Sequence, residues 1–373
     1  MTQKYVVTGA GAFGGWTALQ LLRSGAQVTL IDAWGPGNSR ASSGGETRVI
    51  RHAYTNRLYV DLATRSLELW HEHCDRWQMS LYRESGVLFF DQGGDFCESV
   101  RRNFESAGIN HETLSIAQIA LRWPQVNIEG LRSGLFEPQA GYLQARRACQ
   151  AVVSAFVKEG GVYQVARSLP GEVDGSEMQP VTLQNGELLA ADQYIFACGP
   201  WLATLFPFLN NLLKVSRQEI FFFGQPHDRH AEFSSSLPVW AEVGDQFWYG
   251  IPGDGKRGFK LGDDTTGPDF DPTHGDRSAS AAGIESAARY LGFRFPGMRG
   301  APLLESRVCQ YSRTADDHFI IDRHPQAENC WIAGGGSGHG FKHGPAIGEY
   351  LAALVCGREK EKQEFRLDRD YTS

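Results

Sequence analysis

The sequence has no long hydrophobic segment. No stretch approaches the roughly 18 consecutive apolar residues that span a bilayer. Residues 1–4 lead directly into a predicted strand, without the apolar region and cleavage site of a signal peptide. We therefore expect a cytoplasmic protein that has no membrane partner.

The chain also lacks an excess of positive charge. It carries 36 Lys and Arg residues against 43 Asp and Glu residues, for a net charge of -7. This balance argues against a nucleic-acid or anionic-membrane surface. At 373 residues, with 42% apolar residues, the chain is long enough for a two-lobed unit or two domains.

Paired cysteines are missing as well. The seven cysteines are odd in number, are scattered and include no C-x-x-C pair. This pattern excludes a disulfide framework and a cysteine zinc site, and it predicts free thiols in a reducing compartment. His71 and His73 lack the i,i+4 spacing of a metalloprotease helix, so no metal is expected.

Glycine, in contrast, is abundant and clustered, with 43 residues concentrated at 9–15, 250–262 and 334–344. The first cluster, GAGAFGG, separates the predicted strand KYVVT from a helical pattern, WTALQLLRSG. A second strand, QVTLID, ends in Asp32. These elements form a predicted βαβ unit that places Gly9-x-Gly11-x-x-Gly14 at the turn from strand to helix.

Each residue of this fingerprint has a physical role. Gly9 permits the turn, Gly11 lets a pyrophosphate approach the backbone, and Gly14 lets the helix pack on the strand. The helix N-terminus offers unpaired N–H groups to the phosphates, and Asp32 can accept hydrogen bonds from a ribose. The pattern predicts a dinucleotide site and does not separate FAD from NAD.

The stretch 33–54 begins as a predicted loop and continues into ETRVIRHAY, which we expect to start an ordered segment. Arg48 and Arg51 are three residues apart, so one helical turn would place both on one side. A solvated basic face explains this pair equally well from the residues alone.

Four stretches together resemble the monomeric sarcosine oxidase and N-methyltryptophan oxidase family, within the D-amino-acid-oxidase-like flavoproteins. They are GAGAFG, SSGGETRVIRHAY at 42–54, VCQYSRTADDHFIID at 308–322 and GGSGHGFKHGPAIG at 335–348. They follow the order of that family and span nearly the whole chain. The resemblance implies an FAD cofactor.

The resemblance assigns a role to Cys309. In the family, a cysteine in a C-x-Y-[ST] context is bonded to the 8α-methyl carbon of the flavin, and residues 309–312 match this context. A thiolate is the nucleophile for such a bond, and positive charge nearby, such as Arg307 or Arg313, would favour it. An inert cysteine packed against a strand is the alternative.

Further site residues follow from the resemblance. Arg51 and Lys342 match a family pair that binds the substrate carboxylate, and Arg48 matches an arginine near the flavin. The remaining positions that we expect at the cofactor are Ser42, Ser43, Thr47, Leu169, Gly338 and Gly340.

The glycine-rich middle of the chain reads as antiparallel hairpin strands. Lys260 matches a family lysine that sits above flavin N5 and stabilises superoxide, and Tyr249 matches a tyrosine lining the substrate cavity. Strand alternation places Phe247 on the face of Tyr249 and Trp248 behind it. The aromatic run 220–224 could line an apolar pocket, although most aromatic residues belong to the core.

Two positions depart from the sarcosine-oxidising members. A histidine four residues after the lysine is Asp264 here, which favours a substrate with an added amino or hydroxyl group. A histidine before the Gly-[DE]-Thr-Arg run is Gly44, which is expected to leave space. Sarcosine itself is therefore doubtful as the substrate.

The predicted fold class is α/β with an α+β second lobe. A Rossmann-like FAD-binding domain of the glutathione-reductase and p-hydroxybenzoate-hydroxylase type comprises 1–82, 146–216 and 303–373. An interleaved substrate-binding domain, built on an antiparallel sheet, comprises 83–145 and 217–302.

The predicted function is FAD-dependent oxidation of a secondary (N-alkyl or cyclic) amino acid by a monomer. A hydride passes from the carbon next to nitrogen to flavin N5, the imine hydrolyses, and O2 becomes hydrogen peroxide. One alternative is a dehydrogenase that passes electrons to a quinone or carrier protein. A flavin-binding accessory protein without turnover is another.

Overall fold

The computed structural model describes residues 2–234, 236–244, 246–253 and 257–372. Its α-helices, in chain order, are α1 (Ala12–Arg23), α2 (Arg57–Trp77), α3 (Phe96–Ala107), α4 (Ile116–Arg122), α5 (Ala145–Lys158), α6 (Leu202–Leu205), α7 (Ala281–Arg294) and α8 (Gly344–Val355).

Its strands, in chain order, are β1 (Lys4–Thr8), β2 (Gln27–Asp32), β3 (Thr47–Ile50), β4 (Tyr82–Glu84), β5 (Val87–Asp91), β6 (Glu112–Ser115), β7 (Ser133–Glu137), β8 (Gly141–Gln144), β9 (Val162–Val165), β10 (Ser168–Leu169), β11 (Val173–Asp174), β12 (Glu177–Met178), β13 (Val181–Leu183), β14 (Leu188–Leu189), β15 (Gln193–Phe196), β16 (Lys214–Phe223), β17 (Val239–Val243), β18 (Trp248–Ile251), β19 (Phe259–Asp263), β20 (Leu303–Arg313), β21 (Ile320–His324) and β22 (Ala327–Gly334).

A six-stranded sheet carries the order β21-β22-β15-β1-β2-β9. Five of its strands are parallel and β21 is an antiparallel edge. The predicted βαβ unit is confirmed, because β1 and β2 pair in parallel and α1 connects them. The carboxyl ends of β1, β2, β15 and β22 therefore meet at one edge, where ligands bind in sheets of this kind.

Both faces of this sheet are covered, as parallel sheets require. Helices α1, α2, α5 and α8 pack on one face around a core that includes Trp16, Leu19 and Trp70. On the other face, Phe196 and Ile332 join a second core with Leu209. The strands of this sheet are therefore buried on two sides.

A larger sheet has eight strands in the order β20-β16-β19-β18-β17-β5-β7-β6. Its pairs are antiparallel, as predicted for the middle of the chain, except that β17 runs parallel to β5. Trp240, Phe259 and Phe295 pack between this sheet and α7.

Strand β3 belongs to a small antiparallel sheet, in the order β3-β8-β4. The expectation that a helical turn places Arg48 and Arg51 on one side is therefore wrong, because residues 47–50 are extended and hydrogen-bonded to β8. Pairing with a strand almost 100 residues later overrides the local pattern.

The division into two lobes stays a prediction. Strand β20 pairs with β16 over most of its length and so lies in the eight-stranded sheet, while the glycine-rich turn at 334–344 follows the six-stranded sheet. Within the ranges described, no helix is long and apolar enough to cross a membrane.

Candidate active site

A cavity of about 370 Å³ lies at the carboxyl edge of the six-stranded sheet. We call it the cofactor cavity. Its lining comes from segments that are far apart in sequence, namely 8–13, 32–34, 41–43, 166–169, 197–201 and 333–341, with Arg48, Tyr311 and Ser312 among the others. Its size falls in the range of ordinary ligand sites.

The glycine fingerprint forms one end of this cavity. Gly9 has φ of +106°, and a Cβ on it would lie 2.3 Å from the Ala197 carbonyl oxygen. A Cβ on Gly14 would lie 1.9 Å from the Gly9 oxygen, so helix and strand pack there without a side chain. Gly11 faces open space, with only the Ser43 hydroxyl within 4 Å of its virtual Cβ.

Asp32, at the end of β2, organises the same corner. Its carboxylate accepts backbone N–H bonds from Ala10 at 2.8 Å, Trp34 at 2.9 Å and Gly35 at 2.8 Å. The Ser43 hydroxyl accepts from the Ala12 amide at 3.1 Å, at the start of α1. Asp32 and Ser43 thus shape the turn around the fingerprint and also line the cofactor cavity.

The cofactor cavity contains polar groups that no protein atom satisfies. The hydroxyl oxygens of Thr8, Ser168 and Ser312 are buried and have no hydrogen-bond partner among the described residues, and all three residues line the cavity. Buried hydroxyls are normally paired, so these donors fit a polar ligand such as a dinucleotide. Leu169 also lines the cavity, with 62% of its surface exposed.

A second, smaller cavity of about 80 Å³ adjoins the first, and we call it the inner cavity. Arg48, Tyr311, Gly338 and Phe341 line both cavities. The inner cavity brings together most of the residues predicted for substrate and oxygen chemistry: Arg48, Arg51, Tyr249, Lys260, Asp264 and Lys342. Gly340 lines only the cofactor cavity.

Lys342 is 4% exposed and lies in the 3₁₀ turn that precedes α8. Its ammonium donates to the Tyr54 hydroxyl at 2.8 Å and to the His339 carbonyl at 2.9 Å. Burial, followed by repulsion from Arg51, lowers the pKa of Lys342 well below its ordinary value. An anion in the inner cavity would stabilise the charged ammonium.

Arg51 follows β3 and lies beside this lysine. Its guanidinium carbon is 4.4 Å from the centroid of the Tyr54 ring, and it donates to the Ala53 carbonyl. The guanidinium group therefore stacks on an aromatic face. Arg51 also lines the inner cavity, where its N–H groups can bind a ligand. A guanidinium and an ammonium around one small space match the requirements of a carboxylate.

Arg48 and Cys309 are in contact. The Arg48 guanidinium donates to the Ser42 carbonyl at 2.6 Å and to the Thr47 carbonyl at 2.9 Å, and it lies 3.8 Å from the Cys309 sulfur. A cation therefore contacts the thiol, and it is Arg48, which the sequence analysis did not assign to this role. Arg307 instead pairs with Glu305 and Glu46.

Lys260, on β19, is 3% exposed, and its ammonium donates to the Thr47 carbonyl at 2.8 Å. Burial, and then repulsion from Arg48, lowers the pKa of Lys260 well below its ordinary value. Lys260 borders the inner cavity, and its bond to the Thr47 carbonyl connects it to β3.

The aromatic residues on β18 and β20 follow the predicted alternation. Phe247 and Tyr249 line the inner cavity, whereas Trp248 stacks on Tyr290 at 4.6 Å in the core behind them. Tyr311 also lines the inner cavity, beside Tyr249. Of the run 220–224, Phe221 and Phe223 belong to the core and do not line the inner cavity.

Asp264 follows β19 and faces the inner cavity. Its carboxylate interacts with the Tyr311 hydroxyl, and burial raises the pKa of Asp264. The expected space at Gly44 is absent, because a Cβ there would lie 1.8 Å from the Asn38 carbonyl oxygen. A tight backbone turn, and not a wider cavity, explains the glycine at this position.

The sequence analysis missed three residues of this site. Tyr54 and His339 contact Lys342, and Tyr311 lines the inner cavity together with Tyr249 and Asp264. Tyr311 lies inside the C-x-Y-[ST] context, so the motif itself carried that signal. No cluster of three or more metal-ligating side chains occurs in the described part of the chain.

Comparison with known proteins extends this description. Over 364 residues the chain is 32% identical to monomeric sarcosine oxidase of Bacillus sp. (strain B-0618), covering 95% of this chain and 93% of the relative. It is 28% identical to N-methyl-L-tryptophan oxidase of Salmonella dublin over 381 residues, covering 99% of each.

The fold also has a solved counterpart. A crystal structure of a thermally stable mutant of fructosyl peptide oxidase superimposes with a TM-score of 0.84 at 21% identity, covering 98% of this chain and 93% of that one. Residues 4–354 match the family described as "DAO: FAD dependent oxidoreductase". The chain therefore belongs to the DAO family of FAD-dependent oxidoreductases.

Proposed function

We propose that this chain oxidises a secondary amino acid, N-alkylated or cyclic, at the carbon next to nitrogen, and that O2 is the electron acceptor. The observation that carries the proposal is the pairing of Arg51 with Lys342 in the inner cavity, next to the cofactor cavity. The names of the relatives agree, since they are oxidases of sarcosine and of N-methyl-L-tryptophan.

When bound, FAD supplies the oxidant, which takes a hydride from the carbon next to nitrogen and passes two electrons to O2 to give hydrogen peroxide. The fingerprint glycines, Asp32 and the unpartnered hydroxyls are the groups that would hold it. Gly338 and Gly340, in the turn before α8, border the same cavity.

The protein's own contribution begins with the substrate carboxylate. Arg51 binds it through parallel N–H bonds and Lys342 adds a compact charge, so two cations fix which C–H bond faces the cofactor cavity. Tyr54 holds the Lys342 ammonium in place. The imine product leaves for water, where it hydrolyses.

Lys260 and Arg48 supply positive charge for the reaction with oxygen. Both are held by the Thr47 carbonyl oxygen, and both border the inner cavity. A buried cation stabilises negative charge on a reacting oxygen molecule more strongly than it could in water. This is the role that we propose for Lys260.

The proposal also includes a covalent bond to the flavin, a cellular compartment and an oligomeric state. We place an 8α-S-cysteinyl bond at Cys309, supported by the C-x-Y-[ST] context and by the contact with Arg48, which lines the cofactor cavity. Cys309 itself does not border either cavity among the described residues. We further propose a cytoplasmic monomer.

The test is anaerobic bleaching of the flavin absorbance by a panel of sarcosine, N-methyl-L-tryptophan and L-proline, followed by peroxide detection in air. We expect at least one amine to bleach the flavin and to yield peroxide. Lys342→Met should lose this activity, whereas Lys360→Met, on the exposed surface, should keep it. Flavin that no secondary amino acid reduces would refute the proposal.

A further inference from the structure

Asp264 occupies a boundary between two spaces. One is the inner cavity, and the other is a wider cavity of about 770 Å³, which we call the outer cavity. Arg51, Asp264 and His339 line both. The Asp264 side chain keeps 35% of its surface exposed.

The sizes of the two cavities indicate that each holds a different part of the substrate. The inner cavity, at about 80 Å³, has room for the reacting centre and its carboxylate and for little more. Any longer substituent must extend into the outer cavity, which is almost ten times larger. That substituent then passes the Asp264 carboxylate.

The Asp264 carboxylate has unused hydrogen-bonding capacity. A carboxylate accepts at about four lone-pair positions, and the Tyr311 hydroxyl is a neighbouring group that can donate to one of them. Arg313 approaches only to 3.9 Å, because its guanidinium donates instead to the Asp317 carboxylate at 3.1 Å and to the Asp264 carbonyl at 3.2 Å. The carboxylate is therefore incompletely paired.

The rest of the outer cavity is acidic. Its carboxylates outnumber its guanidinium groups by five to three, and the members are Asp264, Asp316, Asp317, Glu364 and Asp370 against Arg51, Arg313 and Arg369. Arg369 pairs with Asp316 at 2.7 Å, and Arg313 pairs with Asp317. With Arg51 assigned to the substrate carboxylate, the surplus charge in this cavity is negative.

We propose, on the basis of the proposed function, that the substrate is a diamino acid whose second, protonated amino group binds to Asp264 at the boundary of the inner and outer cavities. The first amino group is the secondary amine that is oxidised. The substrate carboxylate binds Arg51 and Lys342. Each charged group of the substrate therefore faces a site group of opposite charge.

Two other substrate groups could bind the Asp264 carboxylate. A hydroxyl group on the substrate could donate to Asp264, but it would not relieve the unbalanced negative charge of the outer cavity. The reacting ammonium could also pair with Asp264 before oxidation. In that case the carboxylate would assist every substrate equally, whatever its side chain.

The experiment compares matched substrates on the flavin-loaded enzyme. Nα-methyl-L-lysine and Nα-methyl-L-ornithine are compared with N-methyl-L-norleucine and N-methyl-L-norvaline. Norleucine has a hydrogen in place of the lysine ammonium and a methyl group in place of the ornithine ammonium. Norvaline has a hydrogen in place of the ornithine ammonium. Nα-methyl-6-hydroxynorleucine tests the hydroxyl. We expect kcat/KM for the best cationic substrate to exceed that of its neutral partner by about tenfold or more.

Asp264→Asn should abolish this preference by lowering kcat/KM for the cationic substrates alone. Asp263→Asn is the matched control, because Asp263 precedes Asp264, does not border either cavity, and caps the Thr265 amide at 2.9 Å. It should keep the preference of the original enzyme.

The outcomes separate the two proposals. If neutral N-methyl amino acids are oxidised as well as the cationic ones, the diamino-acid substrate is wrong and the proposed function stands. Equal losses on both series in Asp264→Asn point to the reacting ammonium, and a preference for the hydroxyl substrate points to an alcohol. Either result also overturns this inference. If no amine reduces the flavin, both proposals fail.

Discussion

The ammonium of Lys342 and the hydroxyl of Tyr54 form a hydrogen bond of 2.8 Å between two buried side chains. The same hydroxyl contacts His343 Nε2 at 2.9 Å, and the Arg51 guanidinium stacks on the Tyr54 ring. One tyrosine therefore positions both cations of the proposed carboxylate site.

Replacing Tyr54 with Phe should weaken substrate binding more than chemistry. The ring that carries Arg51 remains, but the buried ammonium of Lys342 loses an acceptor, and we expect about a tenfold rise in KM with a smaller change in kcat. Steady-state kinetics measure this split. Tyr82→Phe serves as the control, since the Tyr82 hydroxyl bonds the Gln139 carbonyl away from the site. An unchanged KM would contradict the role of Tyr54.

Lys260→Met should slow reaction with O2 far more than reduction by the amine. Removal of one preorganised charge from a dry site costs about 100-fold to 1,000-fold in comparable cases. Stopped-flow measurement of the two half-reactions separates the effects, and Lys214→Met on the exposed end of β16 is the control. Equal slowing of both half-reactions would remove the oxygen role.

The same lysine predicts a pH dependence. Burial lowers the pKa of Lys260, so its ammonium loses the proton at a lower pH than an ordinary lysine does. We expect the rate of reaction with O2 to fall as pH rises through that lowered pKa. Lys260→Arg, which keeps its charge, should flatten this part of the profile.

Cys309→Ser should release the flavin when the protein is precipitated with acid. In the original protein the yellow colour should stay with the pellet, and a flavin-bearing peptide should contain Cys309. Cys74→Ser, in α2 outside both cavities, should behave like the original protein. Colour that leaves the pellet of the original protein would exclude the tether while leaving noncovalent FAD.

Asp264→Asn should stabilise the fold increasingly as pH rises. Burial raises the pKa of Asp264 above its ordinary value of 3.8, so the folded state holds this proton more tightly than the unfolded state. Stability from that proton is therefore lost as pH rises from about 3.8 through the folded pKa. Thermal unfolding should show that the difference in Tm between variant and original widens across this window. A constant difference would contradict the raised pKa of Asp264.

Two glycine substitutions should separate folding from cofactor binding. Gly14→Ala places a methyl group 1.9 Å from the Gly9 oxygen, and we expect a loss of about 1–3 kcal/mol or failure to fold. Gly11→Ala meets only the Ser43 hydroxyl at 3.3 Å, so it should fold with a similar Tm and bind FAD more weakly. Equal effects on Tm would argue against this distinction.

Local patterns predicted the elements of this fold better than they predicted their partners. The β1–α1–β2 unit and the β18–β19 hairpin follow from alternation and glycine placement within about 30 residues. Arg48 was misplaced on a helical turn, because β8 pairs with β3 from a distant part of the sequence. Gly44 was misread for a different reason, because the local turn brings the Asn38 carbonyl oxygen into the space beside it.

The site shows the same limit. Motifs identified Arg51, Lys342 and Lys260, but the hydrogen bonds from Lys342 to Tyr54 and His339 join residues up to 288 positions apart. Periodicity does not reveal such contacts. The position of Asp264 between two cavities likewise depends on the surfaces of loops at 316–318 and 363–372, which the sequence does not place.

The cofactor cavity draws its walls from both the start and the end of the chain, which matters during synthesis. Gly11 is synthesised early and Gly340 late, roughly 15 to 65 seconds apart at about 5–20 residues per second. The walls of the cofactor cavity are therefore incomplete until residues 333–341 have been synthesised and folded, so FAD should bind after synthesis of that segment.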